Sequence, residues 1–168
     1  MSETSKRPPA GRRADYPHLQ PITTRWMDND AYGHVNNVVY FSYFDTVVNT
    51  YLIARGALDI QKSAVIGLVV DVACQYMAPL TYPETVTAGL RVAHLGRSSV
   101  RYEIALFAEG SDQPAASGHF VHVYVDRDSR TPVPIPDPLR DALSHLLAPR
   151  DGAGRTVDRP AGLPSAHV

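Results

Sequence analysis

Cysteine is almost missing: Cys74 is the only one in 168 residues. A single thiol excludes an internal disulfide and any zinc cage built on cysteines. Because Cys74 lies inside an apolar run, a small buried side chain is a better reading of it than a nucleophile. Charge of one sign is lacking too. With 16 basic and 17 acidic side chains, no global field draws the chain to nucleic acid or to an anionic membrane, although local basic sites are compatible with that balance. Long hydrophobic runs are absent, since the longest, Ala64 to Val70, falls far short of the ~20 residues that a helix needs to cross a bilayer. The opening MSETSKRPPAGRR has no apolar core of a signal peptide, so the expected location is the cytoplasm. Several enzyme signatures are missing as well: G-x-S-x-G, the phosphate-binding G-x-x-x-x-G-K and C-x-x-C. Gly152 and Gly154 follow no strand and make no dinucleotide fingerprint.

What is present is ordinary globular material, 44% hydrophobic and 20% charged, at a length that suits one domain with a continuous core. Residues 1–16 and 149–168 are rich in Pro, Arg and small polar residues with little to bury. They read as a flexible N-terminal arm and a flexible C-terminal tail, leaving 17–148 as the compact unit.

Within that unit, HLQPITTRW (His18 to Trp26) reads as a first strand, with Pro21 placing it near an edge or a start. From Asn37 to Arg55 the polar residues Ser42, Asp45, Thr46, Asn49 and Thr50 share one narrow helical stripe. Val, Tyr and Phe are strand formers, but a run this long with no turn signal and one coherent stripe is better as a helix. Apolar over the rest of its circumference, that helix must be wrapped by other structure. Gly56 ends it. Strands follow from Ala64 to Met77, Thr85 to His94, Ser99 to Ala108 and Ala116 to Asp126, each ended by a turn or proline. Alternation puts Val86, Ala88, Leu90 and Val92 on one face, and Phe120, His122 and Tyr124 together on another. Asp137 opens a short last helix through Leu147. One helix followed by an antiparallel meander is an α+β arrangement, with a sheet of about five strands curled around the helix. A partner chain is a natural cover for the remaining sheet face or edge.

The chemistry concentrates in RWMDNDAYGHVNN, directly before the helix. Each residue has a bland reading: the asparagines as caps worth about 1 kcal/mol, Asp28 and Asp30 as turn residues favoured by the helix dipole, Gly33 as a positive-φ turn. Together they offer more. A helix N-terminus presents amides that can stabilise an oxyanion, and a carboxylate just before it can take a proton from water or attack a carbonyl. Those parts suffice to hydrolyse a thioester without metal, serine or cysteine. His119 and His122 are three apart on a strand and face opposite ways, while His34 with Asp28 and Asp30 lacks a further ligand nearby, so neither a metal site nor any cofactor is expected.

The run DNDAYGHVNNVVYFSYFD, preceded by Arg-Trp and followed by the apolar helix, resembles the hotdog-fold thioesterases of the 4-hydroxybenzoyl-CoA thioesterase-like family, and more closely their long-chain acyl-CoA thioesterase branch. The likeness extends from about Ile22 to Val125 and includes MAPLTYPETVTAGLRVAHLGRSSVRYEIAL. It implies a hotdog fold, a homodimer or homotetramer, and acyl-CoA thioester hydrolysis with Asp30 as general base or nucleophile. His34 and Asn37 are secondary catalytic candidates by the same resemblance, and Tyr40 shapes the acyl and pantetheine site. LGRSS resembles the turn that contacts the CoA end, which assigns Gly96, Arg97, Ser98 and Ser99 to substrate binding; a guanidinium beside glycine also suits a phosphate on physical grounds. The alternatives are a non-catalytic hotdog module that binds acyl-CoA or acyl-carrier protein, and a thioesterase acting on acyl-carrier protein. A hydratase on enoyl-CoA is disfavoured because it uses a different motif.

Overall fold

In the computed structural model, which describes residues 11–148, the chain runs β1 (His18–Thr23), α1 (Val39–Ala54), β2 (Val65–Tyr76), β3 (Thr85–Leu95), β4 (Ser99–Phe107), β5 (Ala116–Asp126) and α2 (Asp137–Ser144). The five strands form one antiparallel sheet in the order β1-β3-β4-β5-β2, so β1 and β2 are its edges. This is the hotdog arrangement that the resemblance implies. No helix among the described residues is long and apolar enough to cross a membrane.

The wrapping follows from the pattern of side chains. Phe44, Val47 and Val48 of α1 are fully buried, as are Val86, Ala88, Leu90 and Val92 on β3 and Val100, Tyr102, Ile104 and Leu106 on β4. Each Val, Leu, Ile or Phe among them contributes about 1.5–3 kcal/mol when it leaves water. Ser42, Asp45, Thr46 and Thr50 stay exposed, and Ile53 and Ala54 join them in the last turn of α1. Gly118 lets β5 approach the helix closely: a Cβ there would stand 2.7 Å from the Phe44 ring. Leu139, Leu143 and Leu146 close the far end of the core, and Tyr51 donates to the Ala142 carbonyl at 2.8 Å.

Three sequence expectations shift. The sequence reads as a flexible arm over 1–16, yet Tyr16 is buried on the outer face of the sheet against Ala105 and Phe107. Arg13 holds it there by donating to the Ser111 carbonyl at 2.8 Å while its guanidinium lies 5.1 Å over the Phe107 ring. Gly89 makes the room, because a Cβ would come within 2.7 Å of Tyr16 Cγ. The first ten residues, and the tail from 149 to 168, lie outside the described residues. Second, α1 begins at Val39 rather than Asn37, with Val38 at the cap position and no side-chain cap. Asn36 instead makes a local turn, its Oδ1 accepting the Val38 amide at 3.2 Å and its carbonyl accepting the Val39 amide at 2.9 Å. Third, α2 ends at Ser144, short of Leu147, because the chain turns to let Val92 donate to the Leu146 carbonyl at 2.7 Å.

β2 departs most from an ordinary strand. It carries a bulge between Val69 and Asp71, and its free edge exposes Val69 (48%) and Val70 (54%) along with Tyr76 and Met77. A long apolar edge of this kind is a template for pairing with another strand.

Candidate active site

Two carboxylates two residues apart meet opposite fates. Asp28 is fully buried, and both its oxygens are engaged: Oδ1 accepts from Arg25 Nε at 3.0 Å and Nη2 at 2.8 Å, and Oδ2 accepts from the Arg25 amide at 2.8 Å and the Tyr43 hydroxyl at 2.7 Å. Burial pushes the carboxyl pKa up, but these bonds together outweigh it and leave the group below its ordinary value. Asp28 is therefore an anion held as structure. Asp30 is half-buried; its Oδ1 accepts the Tyr32 amide at 2.8 Å, and Oδ2 has no hydrogen bond among the described residues.

A tight turn presents Asp30. Its amide donates to the His34 carbonyl at 2.8 Å and its carbonyl accepts the Gly33 amide at 3.1 Å, with Gly33 at φ 80 where an L side chain is strained. Anchors from the neighbouring 80–82 segment hold the turn. Thr81 Oγ1 donates to the Gly33 carbonyl at 2.9 Å, the Tyr82 amide donates to Asn29 Oδ1 at 3.0 Å, and the Val35 amide donates to the Leu80 carbonyl at 2.8 Å. Behind it the Asn36 amide donates to the Asp28 carbonyl at 2.8 Å, which ties the start of α1 to the buried carboxylate.

The other residues expected here divide. The side chains of His34 and Asn37 are exposed, and the Asn37 carbonyl accepts the Tyr76 hydroxyl at 3.0 Å. Tyr40 is buried, edge-on to Tyr76 at 4.9 Å, and burial raises its phenol pKa. Asp30, His34, Asn37 and Tyr40 thus gather around the start of α1 and the Tyr76 end of β2. Cys74 sits on the same strand, its thiol pushed up to about 11 by burial, so at neutral pH it carries no thiolate.

Gly96, Arg97, Ser98 and Ser99 are elsewhere. The Asp30 turn packs beside the start of β3, whereas these four connect the end of β3 to β4, roughly 30 Å away along a strand of that length. Their backbone is tied down, with Arg140 Nη2 donating to the Gly96 carbonyl at 2.7 Å and the Tyr124 amide donating to the Ser98 carbonyl at 2.7 Å. One chain does not bring the two halves of the expected site together.

A second feature escaped the reading of the sequence. Between α1, β2 and β5 lies a cavity of about 70 Å³, lined by Asp45, Asn49, Leu52, Gly67, His122 and Tyr124 among others. His122 faces inward with Phe120 and Tyr124, as alternation predicts, while His119 points out to Asp71 at 2.8 Å. The polar residue within an inward-facing run was the available signal; what the sequence could not tell is that Nε2 of this histidine has no hydrogen-bond partner among the described residues. Burial pushes its pKa down to about 4, against a smaller upward pull from Asp45, so the ring is neutral. Among the described residues, no three His, Cys, Asp or Glu side chains stand close enough to share a metal ion.

Comparison with known proteins converges on one family. The model of the thioesterase-like superfamily matches residues 24–143. The PA5185 protein of Pseudomonas aeruginosa strain PAO1 is 59% identical, over 83% of this chain and 98% of its own, with a TM-score of 0.81. The PA2801 protein of Pseudomonas aeruginosa is 32% identical over 76% of this chain and 98% of its own, with a TM-score of 0.71. Slr0204 of Synechocystis, a 1,4-dihydroxy-2-naphthoyl-CoA thioesterase, is 16% identical over 75% of this chain and 94% of its own, with a TM-score of 0.69, which is a likeness of fold.

Proposed function

The chain belongs to the thioesterase-like superfamily, and from that premise we propose that it hydrolyses an acyl-CoA thioester to the free acid and coenzyme A, with Asp30 as the reacting carboxylate. The observation that carries this reading is the contrast within one loop. Asp28 has every acceptor position filled by protein donors, while Asp30 keeps Oδ2 unengaged among the described residues, in the turn that leads into α1. As a general base, Asp30 takes a proton from water; the hydroxide adds to the thioester carbonyl, and collapse of the adduct breaks the C–S bond and releases the thiol. As a nucleophile, it adds to the carbonyl and expels the CoA thiolate with cleavage of the C–S bond, which leaves an anhydride that water opens to the free acid and the regenerated carboxylate. First-turn amides of α1 supply a dipole suited to the transient oxyanion. In this reading His34, exposed on the same turn, and Asn37 contact substrate, with the buried Tyr40 behind them.

The working unit in this proposal is a pair of chains joined through β2. Its exposed apolar edge supports that, and so does the separation of the expected site into two ends of one sheet. A two-fold axis pairs β2 antiparallel with its copy. Over the full strand, Val65 of one copy then stands opposite Tyr76 of the partner subunit. The end that carries Gly67 and the Gly96–Ser99 turn comes beside the Asp30 turn of the other copy, where Arg97 can meet a CoA phosphate.

The test is thiol release from a panel of acyl-CoAs by the wild type and Asp30→Asn. Loss of a general base or nucleophile lowers turnover by about 10²–10⁴. Equal turnover by the two proteins removes Asp30 from the chemistry, and tight acyl-CoA binding with no thiol release by the wild type makes the chain a binding module.

A further inference from the structure

Prolines alternate at 132, 134, 136 and 138. Each locks its own φ and removes one N–H, so the segment runs extended and donates only from the residues between. Val133 donates to the Tyr124 carbonyl at 3.0 Å and Ile135 to the Arg97 carbonyl at 2.9 Å. These bonds lay the strap along the end of β5 and against the Gly96–Ser99 turn. α2 starts directly after it, with the Arg140 amide donating to the Pro136 carbonyl at 2.8 Å. That start delivers one guanidinium to the turn. Arg140 Nη2 donates to the Gly96 carbonyl at 2.7 Å and to the Arg97 carbonyl at 3.1 Å, while the Tyr124 amide donates to the Ser98 carbonyl at 2.7 Å.

Three successive carbonyls of the turn are thus held against the strap, β5 and α2. In a trans peptide the N–H points opposite to the C=O of the preceding residue, so the Arg97 and Ser98 amides face the other way. Neither makes a hydrogen bond among the described residues. Successive N–H groups turned to one side make a concavity suited to an anion. The Arg97 side chain is exposed beside them, and among the described residues neither Arg97 nor Arg140 has an ion-pair partner. We propose that Arg140 is a positioning residue for the nucleotide end of coenzyme A: it holds the Gly96 and Arg97 carbonyls back so that the Arg97 and Ser98 amides face a phosphate. The proposal rests on thioester hydrolysis in which this turn meets the CoA. The Arg97 carbonyl keeps the Ile135 amide when Arg140 is lost, but the Gly96 carbonyl has no other donor among the described residues. That peptide is then free to rotate, and a phosphate must reorder it on binding. Arg140 acts on the turn and not on the thioester carbonyl, so its loss raises KM and leaves kcat alone.

The experiment measures kcat and KM of the full chain, wild type, Arg140→Gln and Arg140→Lys, on the best acyl-CoA of the panel and on the pantetheine thioester of the same acid, which has no phosphate. Arg140→Gln is expected to raise KM for the acyl-CoA by about 10-fold, the worth of one hydrogen bond to a charged group, with kcat within about twofold and kcat/KM for the acyl-pantetheine unchanged. Arg140→Lys should recover most of the loss, because a single nitrogen serves both carbonyls and an ammonium can do the same. An unchanged KM for the acyl-CoA in Arg140→Gln overturns the proposal, and so does an equal loss on both thioesters, which would mean that Arg140 only supports the fold. If the wild type releases no thiol from any acyl-CoA, it is the thioester reading that fails. Arg140 is then judged by titrating coenzyme A itself into the nitrogen-labelled protein. Shifts of the Arg97 and Ser98 amide resonances that disappear in Arg140→Gln uphold the proposal; shifts that persist in the variant, or none in the wild type, reject it.

Discussion

Replacing Tyr43 by Phe removes one hydroxyl from a buried polar contact. That hydroxyl donates to Asp28 Oδ2 at 2.7 Å, and the carboxylate it reaches is fully buried. A hydrogen bond to a buried charge is worth about 1.5–3 kcal/mol. Three bonds from Arg25 remain in the variant, so the charge is not orphaned and the cost should fall near the middle of that range, about 2 kcal/mol. For a chain of this size the melting temperature shifts by ~2–4 °C per kcal/mol, which predicts a fall of about 4–8 °C. Burial first, and then the bond to Asp28, push the Tyr43 phenol well above its ordinary pKa, so the donor keeps its proton through neutral pH. The pH dependence carries a second signature. Asp28 has a folded pKa below its unfolded value, so its stabilisation is complete above the unfolded value of about 3.9 and is lost as pH falls through the folded one. Wild type and variant should therefore differ fully at pH 7 and converge in strong acid. Thermal and urea unfolding at pH 7 and below pH 3, at one protein concentration because a dimer links stability to concentration, read both signatures. A shift under about 1 °C at pH 7, or a gap that persists unchanged in acid, would refute this account of the Asp28 anchor.

Other outcomes follow from single contacts. His122 titrates at about 4 in the folded chain and at about 6.5 when unfolded, so its neutral burial is fully favourable above pH 6.5 and is lost as pH falls toward 4. By linkage the wild type should lose roughly 2 kcal/mol between pH 7 and pH 5 that His122→Phe does not lose, measured by urea midpoints. Gly89→Ala drives a methyl against the Tyr16 ring and should cost about 1–3 kcal/mol by overpacking, visible as a lower melting temperature; a neutral result would mean that the segment around Tyr16 readily moves aside. Val70→Lys puts a charge in the middle of the exposed β2 edge and should shift the protein to monomer in sedimentation velocity while abolishing thiol release. A fully active monomer would show that each chain is complete by itself.

Legibility in the sequence varied with how local the cause was. The helix could be read because its apolar circumference and its stripe from Ser42 to Thr50 are properties of one segment. The inward faces of β3, β4 and β5 could be read for the same reason, since alternation along a strand is local. Ala105 and Phe107 could not. They stand on the face that alternation turns outward, and only the distant Tyr16, seated over Gly89, buries them. α1 starts two residues later than the pattern from Asn37 suggests, because Asn36 spends its side chain on a local turn instead of on a helix cap. Asp28 could be judged structural, but the partners that make it so, Arg25 and Tyr43, come from two different elements.

By itself, then, the sequence determined the α+β architecture, the buried helix and the loop that holds Asp30, because periodicity, turn chemistry and a short motif act over a few residues. Tertiary structure decided three further matters. Among the described residues, it left Asp30, not Asp28, with an unengaged oxygen; it set the Gly96–Ser99 turn at the opposite end of the sheet from that oxygen; and it enclosed His122 beside a cavity with no partner for Nε2. Each depends on which strands lie side by side and on what covers them. Strand order and burial arise from contacts between residues far apart in the chain, and no local pattern encodes those contacts.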